Sequence, residues 1–179
     1  MKTYIAFLRG INVSGNKKIP MAELRTLCDG LHFKNVKTYI QSGNVVFESE
    51  NSEIVELEKL FSQSILHHFR FEVPVIVKTI EQLQKVITGN PYNSEEEIAK
   101  NKIYFVLLNG TPTKEVLVNL RTENYINEEF TIAENCIYLK CKAGYGKAKL
   151  NNNLIERKLG VLATTRNYRT INKMLELST

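Results

Sequence analysis

Cysteine, histidine and long apolar runs are all scarce in this chain, and each shortage closes off a class of protein. Only three cysteines occur in 179 residues, Cys28, Cys136 and Cys141. An odd count builds no disulfide framework, and a separation of five within one expected strand puts Cys136 and Cys141 on opposite faces. Cys28 falls on the apolar stripe of an expected helix. All three are therefore expected to be free, buried thiols of a reducing compartment. Of the three histidines, His67 and His68 are neighbours on a helix and point apart, while His32 stands alone. No HExxH, CxxC pair or carboxylate cluster supplies metal-ligand spacing, so neither a metal site nor a cofactor is predicted. No apolar run approaches the ~18 residues of a membrane span. The apolar stretch at 4–8 is too short and wrongly flanked for a signal peptide. A cytoplasmic protein without membrane contact is expected.

Nucleotide and hydrolase motifs are missing as well. Gly144-Tyr145-Gly146-Lys147 resembles a phosphate loop, but Cys141 stands where a Walker A loop needs glycine, and Ala148 where it needs Ser or Thr. Lys149 occupies the place of the third glycine of a dinucleotide fingerprint. Ser42-Gly43 follows a strand, yet Ile40 and Asn44 break the GxSxG elbow. No catalytic residue is assigned.

What the chain does have is uneven charge. Segment 140–173 holds nine Lys/Arg against Glu156 alone, a local +8, while the remaining residues sum to −3 and the whole to +5. Such asymmetry points to an anionic partner, nucleic acid or a phosphorylated ligand. Arg166, Arg169 and Lys173, three and four apart, are expected to line the solvent face of a final helix capped by Thr164 or Thr165. With Lys147, Lys149, Arg157 and Thr165 they make the candidate anion surface, and Tyr145 is the candidate platform for stacking on a base.

Periodicity predicts β-α-β-β-α-β over the first half, the ferredoxin-like split βαβ pattern. A capping box at Thr79 and Gln82 then opens a further helix that ends by Gly89. The second half reads as strand, helix, hairpin around Glu134-Asn135, and helix, without a closing strand. The fold class is α+β, with two ferredoxin-like subdomains forming one compact unit. The first subdomain spans 1–89 with its capping helix, 90–102 is a linker, and the second spans 103–179. In a split βαβ unit the loop at 10–19 and the turn at 41–43 share one sheet edge. Arg9, Asn12, Lys17, Lys18, Gln41, Ser42 and Asn44 would then form a second anion cluster, although the same residue types also serve simply to shape turns.

Three ordered blocks carry a family resemblance: LRGINVSGN with KIPMAELRTL, TYIQSGNVVFES, and GYGKAKLNNNLIERKLGVLATTRNYRTINKML. They resemble the signature blocks of the domain of unknown function 1697 family, over residues 4–175. Ser14 stands where a glycine is common in that family, and Tyr168 where a tryptophan is. The resemblance implies two ferredoxin-like α+β subdomains in a bacterial cytoplasmic protein. It brings no activity, cofactor or catalytic residue. Beside the binding module stand two other readings, an enzyme on a small anionic substrate between the subdomains and a protein-interaction module. The sequence specifies no oligomeric state.

Overall fold

The computed structural model describes residues 1–134 and 136–179, and its chain divides into two units. The first unit comprises Met1–Gln84 together with Lys173–Thr179, and the second Lys85–Asn172.

The first unit begins with β1 (Lys2–Leu8), α1 (Met21–Gly30), β2 (Lys34–Tyr39) and β3 (Asn44–Ser49). It continues with α2 (Ile54–Phe69), β4 (Val75–Thr79) and the start of α3 (Ile80–Thr88). Its sheet is antiparallel throughout, in the order β2-β3-β1-β4. Placing β3 between β1 and β2 is the split βαβ arrangement that the alternation of elements predicts. Tyr4, Ala6 and Leu8 of β1, with Val45 and Phe47 of β3, point to the helices, as the two-residue period of a strand requires. They meet Leu24 and Cys28 of α1 and Leu57, Phe61 and Ile65 of α2, which recur at helical spacing. Phe47 is the hub of this core, stacked on Phe33 at 4.3 Å and edge-on to Phe61 at 6.0 Å. Ile5 and Phe7 on the other face are equally buried, so β1 reads as a continuous apolar run rather than an alternation.

The capping box forms as expected. Thr79 N–H donates to Gln82 Oε1 at 3.0 Å and Gln82 N–H to Thr79 Oγ1 at 3.2 Å, which satisfies two donors at the start of α3.

In the second unit, residues 90–102 carry the short α4 (Glu95–Ala99), capped by Ser94. There follow β5 (Ile103–Leu108), α5 (Lys114–Arg121), β6 (Glu128–Ile132), β7 (Cys136–Cys141), α6 (Asn152–Leu159), β8 (Ala163–Asn167) and α7 (Tyr168–Ser178). The last residues of α7 belong to the first unit. The sheet order is β6-β7-β5-β8, again antiparallel and again the split βαβ order. The hairpin β6–β7 is present, while Asn135, placed by the sequence in its turn, lies outside the described residues.

Two expectations are corrected here. The second half does possess its closing strand: β8 pairs with β5 from Leu108–Ala163 to Tyr104–Asn167. The five residues ATTRN contain no apolar run of their own, and two β-branched threonines are only a weak local strand signal. The free edge of β5 decides their conformation. Thr164 and Thr165 therefore sit inside a strand, and the first turn of α7 is capped by Asn167, whose Oδ1 accepts from Thr170 N–H at 2.8 Å.

Candidate functional site

The turn between β7 and α6 organises the basic segment. Gly144 adopts φ 84 and ψ 154, a region closed to side chains, and a 3-10 turn (Tyr145–Lys147) follows. Lys149 N–H is held by the buried carboxylate of Glu128 at 3.0 Å. Asn151 caps α6 by accepting from Leu154 N–H at 3.1 Å.

Tyr145 turns inward from this loop. Its ring stacks on Tyr104 with centroids 5.1 Å apart, and its hydroxyl donates to Thr165 Oγ1 at 3.1 Å. The Thr165 hydroxyl in turn donates to Asn152 Oδ1 at 2.6 Å. Burial pushes the Tyr104 phenol above its ordinary pKa. Tyr145 thus closes a polar relay between the turn, β8 and the first residue of α6, and one of the two faces of its ring is already covered by Tyr104. Thr165, a candidate anion ligand by sequence, is a link in the same relay.

The cations of segment 140–173 separate into three kinds. Four are paired with carboxylates: Lys140 with Glu97 at 2.6 Å, Lys142 with Glu129 at 3.0 Å, Lys158 with Glu123 at 2.5 Å and Lys173 with Glu176 at 2.9 Å. Hydrogen bonds from Lys158 and then Tyr125 hold the Glu123 carboxyl below its usual range, and Lys142 does the same for Glu129. The bond to Glu97 raises the Lys140 ammonium. Two more are arginines engaged by the fold. Arg169 donates to Ala99 O at 2.7 Å. Arg166 is only 8% exposed, and its Nη1 donates to Thr164 Oγ1 at 2.8 Å and to Thr165 O at 2.9 Å. Burial lowers its pKa to about 10, which leaves it charged at neutral pH. The third kind is Lys147, Lys149 and Arg157, all exposed and without an ion pair or side-chain hydrogen bond among the described residues.

The expected helical stripe is therefore corrected. Arg166 lies in β8 and points into the protein, while Arg169 and Lys173 lie on α7. The three do not share a solvent face. Their spacing would align them only on a helix that already included Arg166, and α7 starts at Tyr168.

Part of the loop cluster of the first unit is brought together, Asn12 with Gln41 and Ser42 with Asn44. Asn12 Nδ2 donates to Gln41 O at 2.8 Å and to Ile19 O at 3.0 Å, and its Oδ1 accepts from Ile19 N–H at 2.9 Å. Asn44 is wholly buried and fixes the facing turn through Tyr39 O and Ser42 Oγ, both at 2.9 Å. The amides thus serve the backbone. Lys17 donates to Glu72 O at 2.6 Å, and Lys18 is exposed. Glu72 and Pro74, which join this end through Lys17 and Arg9, escaped sequence reading, because no local pattern announces the register of β4 against β1.

The remaining chemistry is quiet. Among the described residues no group of three His, Cys, Asp or Glu is placed to hold a metal, and no helix is long and apolar enough to cross a membrane. All three cysteines are free and buried, and burial pushes the thiols of Cys28 and Cys141 up to about 12, far from nucleophilic use. A cavity of about 450 Å³ beside the edge strand β6 is lined by Glu123, Glu128 and Glu129 with Arg121 and Tyr92. Its carboxylates already hold Lys158, Lys149 N–H, Lys140 and Lys142.

A family model described as "Protein of unknown function (DUF1697)" matches residues 1–138. No curated protein matches the chain. Among solved structures, it is similar to the conserved bacterial protein SP0830 from Streptococcus pneumoniae, with 23% identity and a TM-score of 0.77. That likeness covers 99% of this chain and 98% of the other, and it speaks to the fold.

Proposed function

Since the chain belongs to the DUF1697 family, whose description names no reaction, its own surface must supply the reading, and we propose that the second unit binds the phosphate backbone of a nucleic acid. The observation that carries the proposal is the division of the basic segment. After four lysines are matched by carboxylates and two arginines are engaged by the fold, Lys147, Lys149 and Arg157 remain exposed and uncompensated. Lys147 and Lys149 stand on the turn that enters α6, and Arg157 stands on α6 itself. Exposed, unmatched cations are what phosphate contacts use, because displacing their counterions favours binding.

The test is fluorescence anisotropy with labelled single-stranded RNA, single-stranded DNA and duplex DNA over a range of salt. Three phosphate contacts predict a slope of log K against log salt of about −2 for single strands. Replacing Lys147, Lys149 and Arg157 together by alanine is expected to remove most of that slope and to weaken binding at low salt about tenfold or more. A folded triple variant with unchanged affinity and slope removes the assignment.

A further inference from the structure

Each sheet ends in two edge strands, β2 and β4 in the first unit, β6 and β8 in the second. A bare edge is a template for another chain, and three of these edges are blunted. β2 breaks register between Lys34 and Lys37, with Asn35 held at φ 50. On β4 the outward N–H of Val77 donates to Glu58 Oε1 at 2.9 Å, and that of Thr79 to Gln82 Oε1. On β8 the outward N–H of Ala163 donates to Glu156 Oε1 at 2.9 Å, and Thr165 O accepts from Arg166.

β6 carries none of these blocks, and it runs in unbroken register against β7. The hydrogen bonds at the two ends of that ladder fix which groups turn outward. Lys142 N–H donates to Asn127 O at 2.8 Å, and Ala133 N–H to Cys136 O at 2.9 Å. The odd-numbered residues therefore face β7, while Glu128, Phe130 and Ile132 present their backbone groups to the free side. Glu128 N–H is taken by Tyr125 O at 3.4 Å, but the N–H groups of Phe130 and Ile132 have no partner among the described residues. The whole length of β6 lines the cavity of about 450 Å³ described above.

Such a row of donors and acceptors is matched by another extended backbone, and the sequence of β6 fits its own. Laid antiparallel about a two-fold axis at Phe130, β6 sets Phe130 against the second copy's Phe130, Glu129 against Thr131, and Glu128 against Ile132. No like charges face one another. An axis at Glu129 would oppose the two copies of Glu129, and an axis at Thr131 would oppose Glu128 to Glu134. The Phe130 axis also uses the open groups well. Phe130 N–H meets the second copy's Phe130 carbonyl and Ile132 N–H its Glu128 carbonyl, about four hydrogen bonds in all.

From this open and self-complementary edge, we infer that two copies of the chain pair through β6, antiparallel and centred on Phe130, so that their second-unit sheets become one. The inference does not rest on the nucleic-acid reading.

The experiment is sedimentation equilibrium of the full chain at low salt, from about 1 µM to about 1 mM, where the native chain is expected to show a monomer–dimer equilibrium. In the Phe130 register, residue 131 faces the second copy's Glu129 in a non-hydrogen-bonded pair, where side chains lie closest. Thr131→Glu is therefore expected to weaken the dimer about tenfold and Thr131→Lys to strengthen it about threefold, a difference that salt shrinks. Both variants lose the contact between Thr131 Oγ1 and the Tyr92 hydroxyl, so effects of opposite sign report the register and not local damage. Ile132→Pro removes an outward donor where an edge strand tolerates proline, and is expected to leave a folded monomer. A native chain that stays monomeric over this range overturns the inference and leaves the edge to an extended segment of another protein. A dimer that responds alike to both Thr131 variants, or persists unchanged in folded Ile132→Pro, overturns it too.

Discussion

At Arg166 and Gly43 a single side chain, or its absence, is fixed by surroundings that sequence spacing does not reveal. Arg166 supplies two hydrogen bonds to β8, and removing it leaves Thr164 Oγ1 and Thr165 O short of a donor in a buried place. Arg166→Ala is expected to cost about 2–4 kcal/mol in urea unfolding, while Arg157→Ala on the exposed face of α6 stays within about 0.5 kcal/mol. Equal stability of the two variants would contradict the burial of Arg166. At Gly43 two penalties combine: φ is +74, and an added Cβ would lie 2.6 Å from Leu8 Cβ and 2.8 Å from Ile11 Cδ1. Gly144 has φ +84 with open space around it, so only the backbone term applies. Gly43→Ala is expected to destabilise by about 3 kcal/mol and Gly144→Ala by about 1–2 kcal/mol, a ranking that thermal melts of the two variants check.

At the scale of the element, local and non-local causes separate cleanly. α3 is written into its own sequence, since Thr79 and Gln82 satisfy each other's backbone groups. α2 is legible from its apolar face alone, and its Phe61 and the facing Phe47 carry much of the first core. Phe47→Ala is expected to cost about 3–5 kcal/mol, read as a fall in urea midpoint at constant slope. β8 is the opposite case. Its ATTRN offers only two β-branched threonines as a strand signal, and it forms because β5 offers a row of unpaired backbone groups. The cap of α7 moves with it. Asn167→Ala is accordingly expected to cost about 1 kcal/mol, the usual worth of an N-cap.

For the whole molecule, net charge describes less than the pairing of charges does. The +8 segment is not a continuous cationic band, because acids from distant segments, Glu97, Glu123 and Glu129, neutralise part of it. The same pairs set the acid response. Glu123 and Glu129 have depressed pKa values in the folded protein, so their contribution is present above the ordinary carboxylate range and is lost as pH falls through the folded values. Glu58 acts in the opposite sense. Burial raises its pKa, so the folded state takes up its proton first and gains stability as pH falls through that value. Glu81, lowered by its hydrogen bond to Thr79, joins the two, and three losses against one gain predict a fall in melting temperature below the carboxylate range. Lys158→Met is expected to flatten the acid limb by releasing Glu123, and added salt to shrink the difference, since both partners are partly exposed. An unchanged acid limb in that variant would exclude Glu123 as a contributor.

The sequence by itself determined the α+β class, the split βαβ order of the first half, the helices with periodic apolar faces and the unreactive cysteines. Each of these follows from patterns that repeat within one element, a period of two or of about 3.6, or a cap three residues from its partner. Tertiary structure alone decided that ATTRN is a strand, that Arg166 faces inward, that Tyr145 stacks on Tyr104, and which lysines remain unmatched. Those outcomes depend on partners far along the chain, such as β5 for β8, Glu97 for Lys140 and Glu123 for Lys158. A backbone edge or a carboxylate brought in from another element leaves no mark at the position it controls.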